Sequence, residues 1–162
     1  MRNNLPELDR RKTQNALEGV FEKYRIYKTI TFMDRESFIT AGYTDRPNGP
    51  TNVTSDPTAR TAVYNVDAPA ARLAYCQMVD AVVSRLNERE QLLIRERYLK
   101  DDDVFDYKVY NYVLDPPVSK DTYTKLRTRA FYKMALALAD QGVLNLAGLQ
   151  KNVDRRLGSV NA

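Results

Sequence analysis

The fold of this chain is decided by residues 116–139, which read PPVSKDTYTKLRTRAFYKMALALA. The two prolines cannot continue a preceding helix, and each pushes the residue before it toward extended geometry, so the chain must turn there. Ser119 follows in the position of a helix N-cap, and Gly142 stands where a helix commonly ends. The stretch therefore predicts a turn followed by one long helix over residues 119–141.

This predicted helix has an apolar face and a basic face. The apolar side chains recur at helical spacing and are Tyr123, Leu126, Ala130, Phe131, Met134, Ala137 and Leu138. The outward positions are Lys120, Asp121, Thr124, Lys125, Thr128 and Arg129, with Arg127 and Lys133 at the flank. Side chains at the start of such a helix can reach base edges, while cations farther along meet phosphates. The alternative is the solvated face of an ordinary packing helix.

Two shorter helices are predicted before the turn. In the segment LNEREQLLIRERYL, Asn87 and Glu90 have the spacing of a capping box, which predicts a helix to about Lys100. The segment VFDYKVYNYVL then predicts a helix with Asp101, Asp102 and Asp103 as its N-terminal charge. A strand is the alternative because Val and Tyr favour sheets, but no hairpin partner is visible. A short helix, a turn and a basic helix together make a helix-turn-helix candidate.

The N-terminal half predicts further helices and an irregular connection. Pro6 and Asp9 precede an amphipathic helix, and residues 33–56 collect turn-forming side chains without a sustained period. A short helix after Pro57 and a separate helix capped by Asp67 are expected next, with Pro69 in the first turn of the second. The apolar stripe of that second helix comprises Leu73, Cys76, Val79, Val82, Val83 and Leu86.

These elements predict an all-α protein of 162 residues with four parts. The parts are an N-terminal amphipathic helix (1–32), a linker (33–56), a helix-turn-helix domain of about four helices (57–142) and a tail (143–162). Leu144, Leu146, Leu149, Val153 and Leu157 predict a short amphipathic helix in the tail. That helix either packs back on the domain or pairs two chains into a homodimer.

Composition weakens most enzyme readings. The chain has no histidine and one cysteine, so the commonest general base, the usual nucleophilic triads and thiolate metal sites are missing. We expect no catalytic residues, no metal and no cofactor. The net charge of +4 leans toward polyanionic partners. Low cysteine usage and the lack of a long apolar run predict a cytoplasmic location with no membrane partner.

Two family resemblances extend this interpretation. The segments LNEREQLLIRERYL and VSKDTYTKLRTRAFYKMAL resemble region four of primary sigma factors, although Pro117 replaces the glycine often found before the valine. That likeness implies DNA contacts from Lys120, Asp121, Thr122, Thr124 and Lys125, and a phosphate contact from Arg129. Because Thr124 stands where sigma factors often carry Arg, a different DNA element is implied.

The order of motifs along the chain is similar to that of the ArpU family of phage late-gene regulators. The matching residues are Leu5, Pro6, Leu8, Asp9, Lys23, Tyr24, Arg25, Arg95, Glu96, Arg97, Tyr98 and Leu99. The likeness implies control of packaging and lysis genes in the cytoplasm of a bacterial host. It leads to the hypothesis of a sequence-specific activator that reads double-stranded DNA with residues 119–133. The competing hypothesis is a module that docks on bacterial RNA polymerase in a sigma-like manner without reading DNA.

Overall fold

The computed structural model describes residues 5–39, 57–101 and 103–151 and is all-α, which confirms the predicted fold class. The helices are α1 (Arg10–Ile39), α2 (Pro57–Ser84), α3 (Glu88–Ile94), α4 (Asp106–Lys108), α5 (Lys120–Asp140) and α6 (Leu146–Leu149). Two π-helical segments, Arg95–Leu99 and Val109–Val113, directly continue α3 and α4. Residues 40–56 of the predicted linker, Asp102, and tail residues 152–162 with Val153 and Leu157 lie outside the described ranges. None of the described helices is long and apolar enough to cross a bilayer.

Helix α1 begins where the sequence predicts and ends later. The Asp9 carboxylate accepts backbone hydrogen bonds from Arg11 at 3.0 Å and Lys12 at 2.9 Å, which satisfies two of the free N–H groups of the first turn. The hydrogen bond from Lys12 is the main cause that lowers the pKa of Asp9. The helix then continues to Ile39, past the predicted end at residue 32.

The predicted helix start at Asp67 is wrong, because α2 runs unbroken from Pro57 to Ser84 with Pro69 in its interior. Proline removes one backbone hydrogen bond and crowds the preceding turn. Alanine, the strongest helix former, occupies positions 68, 70 and 71 around it. Helical propensity on both sides therefore carries the helix through the proline.

One core joins α1 to the C-terminal helices. Leu17 and Phe21 of α1, Val83 of α2, Leu93 of α3 and Met134 of α5 are all fully buried in it. In addition, the ring of Phe21 stacks on Tyr98 at 5.0 Å between centroids and meets Phe131 at 5.9 Å. Helix α1 is thus packed into the same core as α5. Leu73 departs from the predicted stripe and is 43% exposed.

Two of the segments on which the ArpU resemblance was based meet in this core. Arg25 of α1 donates a hydrogen bond from Nη1 to the carbonyl oxygen of Tyr98. The hydroxyl of Tyr24 donates to Asp80 of α2 at 2.8 Å. Burial, together with that hydrogen bond, raises the pKa of Tyr24. The polar groups of Tyr24 and Arg25 therefore form hydrogen bonds that hold α1 against its neighbours.

The helix predicted in the segment VFDYKVYNYVL is present, but it is shorter and runs from Asp106 to Val113. Phe105 is extended (φ −89°, ψ 149°), so α4 begins at Asp106. Asp101 and Asp103 precede that start and are not in the first turn, where Asp106 supplies the acidic group. The predicted N-terminal role of the aspartate run is therefore wrong for these two residues.

The end of α5 and the start of the tail pack back on the domain. Gly142 has a φ of +75°, and the N–H groups of Gly142 and Val143 donate to the carbonyls of Ala139 and Leu138 at 3.0 and 2.9 Å. This double hydrogen bond is a Schellman motif, which requires a left-handed residue such as glycine. Beyond it, Leu149 of α6 is buried against Leu8 and Ala135.

Candidate nucleic-acid interface

The start of α5 is fixed by local caps and by contacts from earlier elements. The Ser119 hydroxyl accepts a hydrogen bond from the N–H of Thr122 at 3.2 Å, which confirms the predicted N-cap. The preceding turn is held by the N–H of Val118, which donates to the carbonyl of Tyr110 at 3.0 Å. Arg89 of α3 donates to the carbonyl of Pro116 at 3.1 Å. These bonds set the position of the helix start before any ligand arrives.

We expect Ser119→Ala to lower the free energy of unfolding by about 1 kcal/mol, because alanine cannot accept the hydrogen bond that caps α5. Urea unfolding followed by circular dichroism measures this loss. Ser119→Asp is the matched control, since its carboxylate restores the acceptor and also favours the positive end of the helix dipole. Equal losses in both variants would contradict a capping role.

The apolar face of α5 lies inward as predicted, and four of the six predicted outward positions are exposed. Tyr123, Ala130, Phe131, Met134 and Leu138 are buried, while Leu126 and Ala137 are half-buried against the same core. The exposed side chains are Lys120, Asp121, Thr122, Lys125, Arg129 and Lys133. Thr122, which only the sigma resemblance implied, thus lies on the outer face together with the residues chosen from periodicity.

Thr124 and Thr128 are less accessible than the other outward positions. Both are half-buried and line a cleft of about 150 Å³ between α5 and the start of α1. The hydroxyl of Thr124 donates to the carbonyl of Lys120 at 2.9 Å, and that of Thr128 donates to the carbonyl of Thr124 at 2.8 Å. Their hydroxyl protons are therefore used within the helix, and Thr122 offers the more accessible hydroxyl.

Arg127 is engaged inside the protein. Its guanidinium lies 2.9 Å from Oδ2 of Asp106, and only 18% of its side chain is exposed. The same carboxylate accepts from Arg97 at 2.7 Å and from the Tyr123 hydroxyl at 3.0 Å. Asp106 therefore ties α4 and the π-helical Arg95–Leu99 segment to the buried side of α5.

The electrostatics of this cluster follow from its partners. Partial burial alone would raise the pKa of Asp106, but hydrogen bonds from Arg97 and Tyr123 and the charge of Arg127 outweigh it. The net result is a pKa below the ordinary value of 3.8. Burial next to this carboxylate raises the pKa of Tyr123. Asp106 is thus an anion and Tyr123 a neutral donor at neutral pH.

Lys133 is also paired inside the protein. Its Nζ lies 2.9 and 2.8 Å from the two carboxylate oxygens of Glu90, a residue with no exposed surface. Glu90 closes the capping box of α3 as predicted, since it accepts from the N–H of Asn87 at 3.2 Å. A buried carboxylate needs such partners, because an unpaired charge in the interior is costly. Lys133 therefore joins α5 to α3.

The pairing divides the five cations of α5 into two groups. Lys120, Lys125 and Arg129 are exposed and have no ion pair within the described part of the chain. Arg127 and Lys133 are the paired group. Three positive charges on the outer face are therefore available to an external anion. DNA contact remains a prediction for all ten candidate residues, which are Ser119, Lys120, Asp121, Thr122, Thr124, Lys125, Arg127, Thr128, Arg129 and Lys133.

A second exposed surface lies on the α4 side. Phe105, Tyr107 and Tyr112 are 59%, 49% and 81% exposed, and the rings of Phe105 and Tyr107 stack at 5.9 Å. Asp103 and Asp115 are exposed at the two ends of this segment. We call these five residues the aromatic–acidic surface.

Two glutamates of the α3 region have structural partners. Glu90 is the buried cap described above, and Glu96 pairs with Lys100 at 3.1 Å, one helical turn away. Within residues 5–39, 57–101 and 103–151, no three His, Cys, Asp or Glu side chains come together as a metal site.

Sequence comparison adds one relative. The chain is similar to an uncharacterized phage-related protein of Listeria innocua serovar 6a, with 25% identity over 134 residues. The similarity covers 83% of this chain and 92% of that protein. No protein-family model matches the chain, and no solved structure matches it. The sigma and ArpU resemblances rest on the motifs quoted above.

The sequence did not predict the carboxylates that pair with Arg127 and Lys133. Asp106 is 21 residues from Arg127, and Glu90 is 43 residues from Lys133. No periodic signal connects positions so far apart in different helices. The capping box at Asn87 did locate Glu90, but it gave no sign that the same carboxylate would also bind a lysine.

Proposed function

We propose that this protein is a phage-associated transcriptional regulator that binds double-stranded DNA in a sequence-specific manner, with the start of α5 in the major groove. The observation that carries the proposal is the outer face of α5, where Lys120, Lys125 and Arg129 are exposed without an internal ion pair. The similarity to the phage-related Listeria innocua protein supports the phage association.

The chemistry of this face suits base reading as well as phosphate binding. Lysine can donate to the acceptors of guanine, and Asp121 can accept from the cytosine amino group. Thr122 adds a short hydroxyl that stands near the first turn of the helix. Arg129, two turns farther along, is placed to meet a phosphate. The proposed contact set is therefore Lys120, Asp121, Thr122, Lys125 and Arg129.

The target genes are inferred from the family likeness. Resemblance to the ArpU family supports activation of late packaging and lysis genes in the cytoplasm of the bacterial host. The protein would act by binding, without a catalytic step or a cofactor. Selection of bound duplexes from a random pool tests the binding and identifies the operator in one experiment.

With the selected operator, we expect Lys125→Ala or Asp121→Ala to weaken binding by about 1 to 3 kcal/mol if the side chain makes a good base contact. Fluorescence anisotropy on the operator and on a scrambled duplex measures the loss and the specificity ratio. Lys100→Ala is the control, because that lysine pairs with Glu96 away from α5. Equal losses on both duplexes would reassign Lys125 to a phosphate, and a wild-type protein that selects no duplex would overturn the proposal.

The aromatic–acidic surface favours a second candidate function. Exposed aromatic side chains are enriched at protein interfaces, and Tyr112 is 81% exposed. In this alternative, the protein docks on bacterial RNA polymerase through the aromatic–acidic surface and does not read DNA itself. Co-purification with polymerase in the absence of DNA, abolished by Tyr112→Ala, would favour it. Loss of operator binding in Lys125→Ala with polymerase binding unchanged would favour DNA reading.

A further inference from the structure

A cleft of about 510 Å³ lies beside the outer face of α5. One wall is formed by residues of α5, and the other by residues 5–8 and Arg10 at the N-terminal end of the described chain. The α5 residues are Thr124, Lys125, Thr128, Arg129 and Tyr132. Lys151, the last described residue, completes the lining. The cleft thus brings both ends of the described chain next to the proposed reading helix.

These chain ends are held in place by hydrogen bonds. The hydroxyl of Tyr132 donates to the carbonyl of Pro6 at 2.9 Å. The N–H of Asp9 donates to the carbonyl of Leu149 at 2.8 Å, and the N–H of Lys151 donates to the carbonyl of Glu7 at 3.2 Å. Leu8 and Leu149 are buried beneath this pairing. The backbone that carries the flanking cations is therefore positioned in advance, which reduces the entropy lost on binding.

The cleft is lined by more positive than negative side chains. Its cations are Arg10, Lys125, Arg129 and Lys151, and its carboxylate is Glu7. Lys151 and Glu7 form an ion pair at 3.1 Å, but their side chains are 58% and 80% exposed. Exposed pairs of this kind contribute little to stability, so Lys151 can exchange its partner for another anion. The remaining cations have no ion pair among the described residues.

We propose that this cleft binds the sugar–phosphate backbone of the DNA strand that borders the groove entered by α5. Arg10 and Lys151 supply two phosphate contacts beyond those of α5 itself. An open cleft that is flanked by four cations and adjoins a reading helix suits a polyanionic chain. This inference rests on the proposed function and adds a second contact set to it.

The test is the salt dependence of binding by the double variant Arg10→Ala/Lys151→Ala. Each phosphate contact contributes about 0.9 to the slope of log K against log salt, so the slope should become shallower by about 1.8. Affinity should fall by the same factor on operator and scrambled duplexes, because phosphates carry no sequence information. Thermal melting should be unchanged, because both residues are exposed and alanine is a good helix former at position 10.

The matched control is Arg85→Ala/Lys100→Ala, which removes the same two charges from exposed positions outside the cleft. An equal change of slope in this control would mean a general charge effect and would overturn the inference. Glu7→Gln gives an independent check that does not depend on the double variant folding. It removes the carboxylate of the cleft and should tighten binding to both duplexes severalfold, while unchanged or weaker binding would contradict the inference.

The two proposals fail in different ways. If the wild-type protein binds no duplex at low salt, the proposed function fails and the cleft inference fails with it. If the wild-type protein selects an operator and the Arg10→Ala/Lys151→Ala slope equals that of the wild type, only the cleft inference fails.

Discussion

Lys133→Ala is expected to lower the free energy of unfolding by about 3 kcal/mol, which corresponds to a fall in melting temperature of roughly 10 °C for a chain of this size. The reason is that the carboxylate of Glu90 is fully buried and that both of its oxygens accept hydrogen bonds from the ammonium group of Lys133. Removal of one partner from a buried pair leaves a charge that solvent cannot reach. Because 46% of the Lys133 side chain is exposed, the expected loss lies at the lower end of the range for buried pairs.

Two further variants separate this explanation from simple loss of packing. Glu90→Gln/Lys133→Ala should be more stable than Lys133→Ala alone, because a neutral amide can still accept from Asn87 without leaving a buried charge. Lys125→Ala should stay within about 0.5 kcal/mol of the wild type, since that lysine is exposed and has no ion pair within the described residues. Chemical denaturation of the wild type, Glu90→Gln, Lys133→Ala and the double variant completes a double-mutant cycle, and Lys125→Ala is measured beside it.

Stability and DNA binding of Lys133→Ala, measured together, decide between two roles for Lys133. The sequence predicts that Lys133 contacts DNA, whereas in the structure Lys133 forms an ion pair with Glu90. An unchanged melting temperature with weaker binding to every duplex would make it a phosphate contact. A large loss of stability with unchanged affinity of the folded fraction would make it an internal cation.

Asp106→Asn is expected to lower the free energy of unfolding by about 2 kcal/mol at pH 7, because hydrogen bonds to a charged group are worth about 1.5 to 3 kcal/mol. The variant keeps the shape of the side chain but removes the charge that faces Arg97 and Arg127. Asp106 is partly exposed, so solvent can screen some of the loss. Urea unfolding with linear extrapolation measures it.

The pH dependence of this difference has a definite sign. Since the pKa of Asp106 is lowered on folding, its contribution to stability is fully present above the unfolded value and is lost as pH falls through the folded value. The gap between wild type and Asp106→Asn should therefore be constant from about pH 7 to pH 5 and shrink below about pH 4. A gap that persisted at pH 2 would contradict the ionic origin.

Asp103→Asn is the control for this pair of measurements. Asp103 is also an acidic residue of the same segment, but it is exposed and has no ion pair among the residues that the structure describes. It should change stability by less than about 0.5 kcal/mol at every pH. A similar loss in both variants would indicate a general effect of charge and not the cluster around Asp106.

Much of the fold could be predicted because its signals are local. The caps at Asp9, Asn87 and Ser119 act between residues two or three positions apart, and Gly142 ends α5 through its own left-handed backbone. The apolar spacing of α5 likewise selected the face that is buried. Such signals depend on the geometry of one helix, which the sequence specifies directly.

The starts of α2 and α4 could not be predicted, because opposing local preferences meet at each of them. Pro69 predicted a helix start, but alanines around it allow α2 to continue. The aspartate run at 101–103 predicted a first turn, but the extended Phe105 delays α4 to Asp106. Neither outcome follows from a single residue, because each depends on the balance between propensity and the packing of neighbouring helices.

Local signals in the sequence are enough to predict that the chain is helical, where α5 begins and ends, and which of its faces is polar. The packing of the helices then selects the cations on that face that are available, since Arg127 and Lys133 meet carboxylates from other helices while Lys125 and Arg129 do not. It also placed Arg10 and Lys151 in one cleft. Caps and periodicity act between residues that are close together along the chain. Ion pairs between helices join residues far apart in sequence, so they depend on how the helices pack against one another.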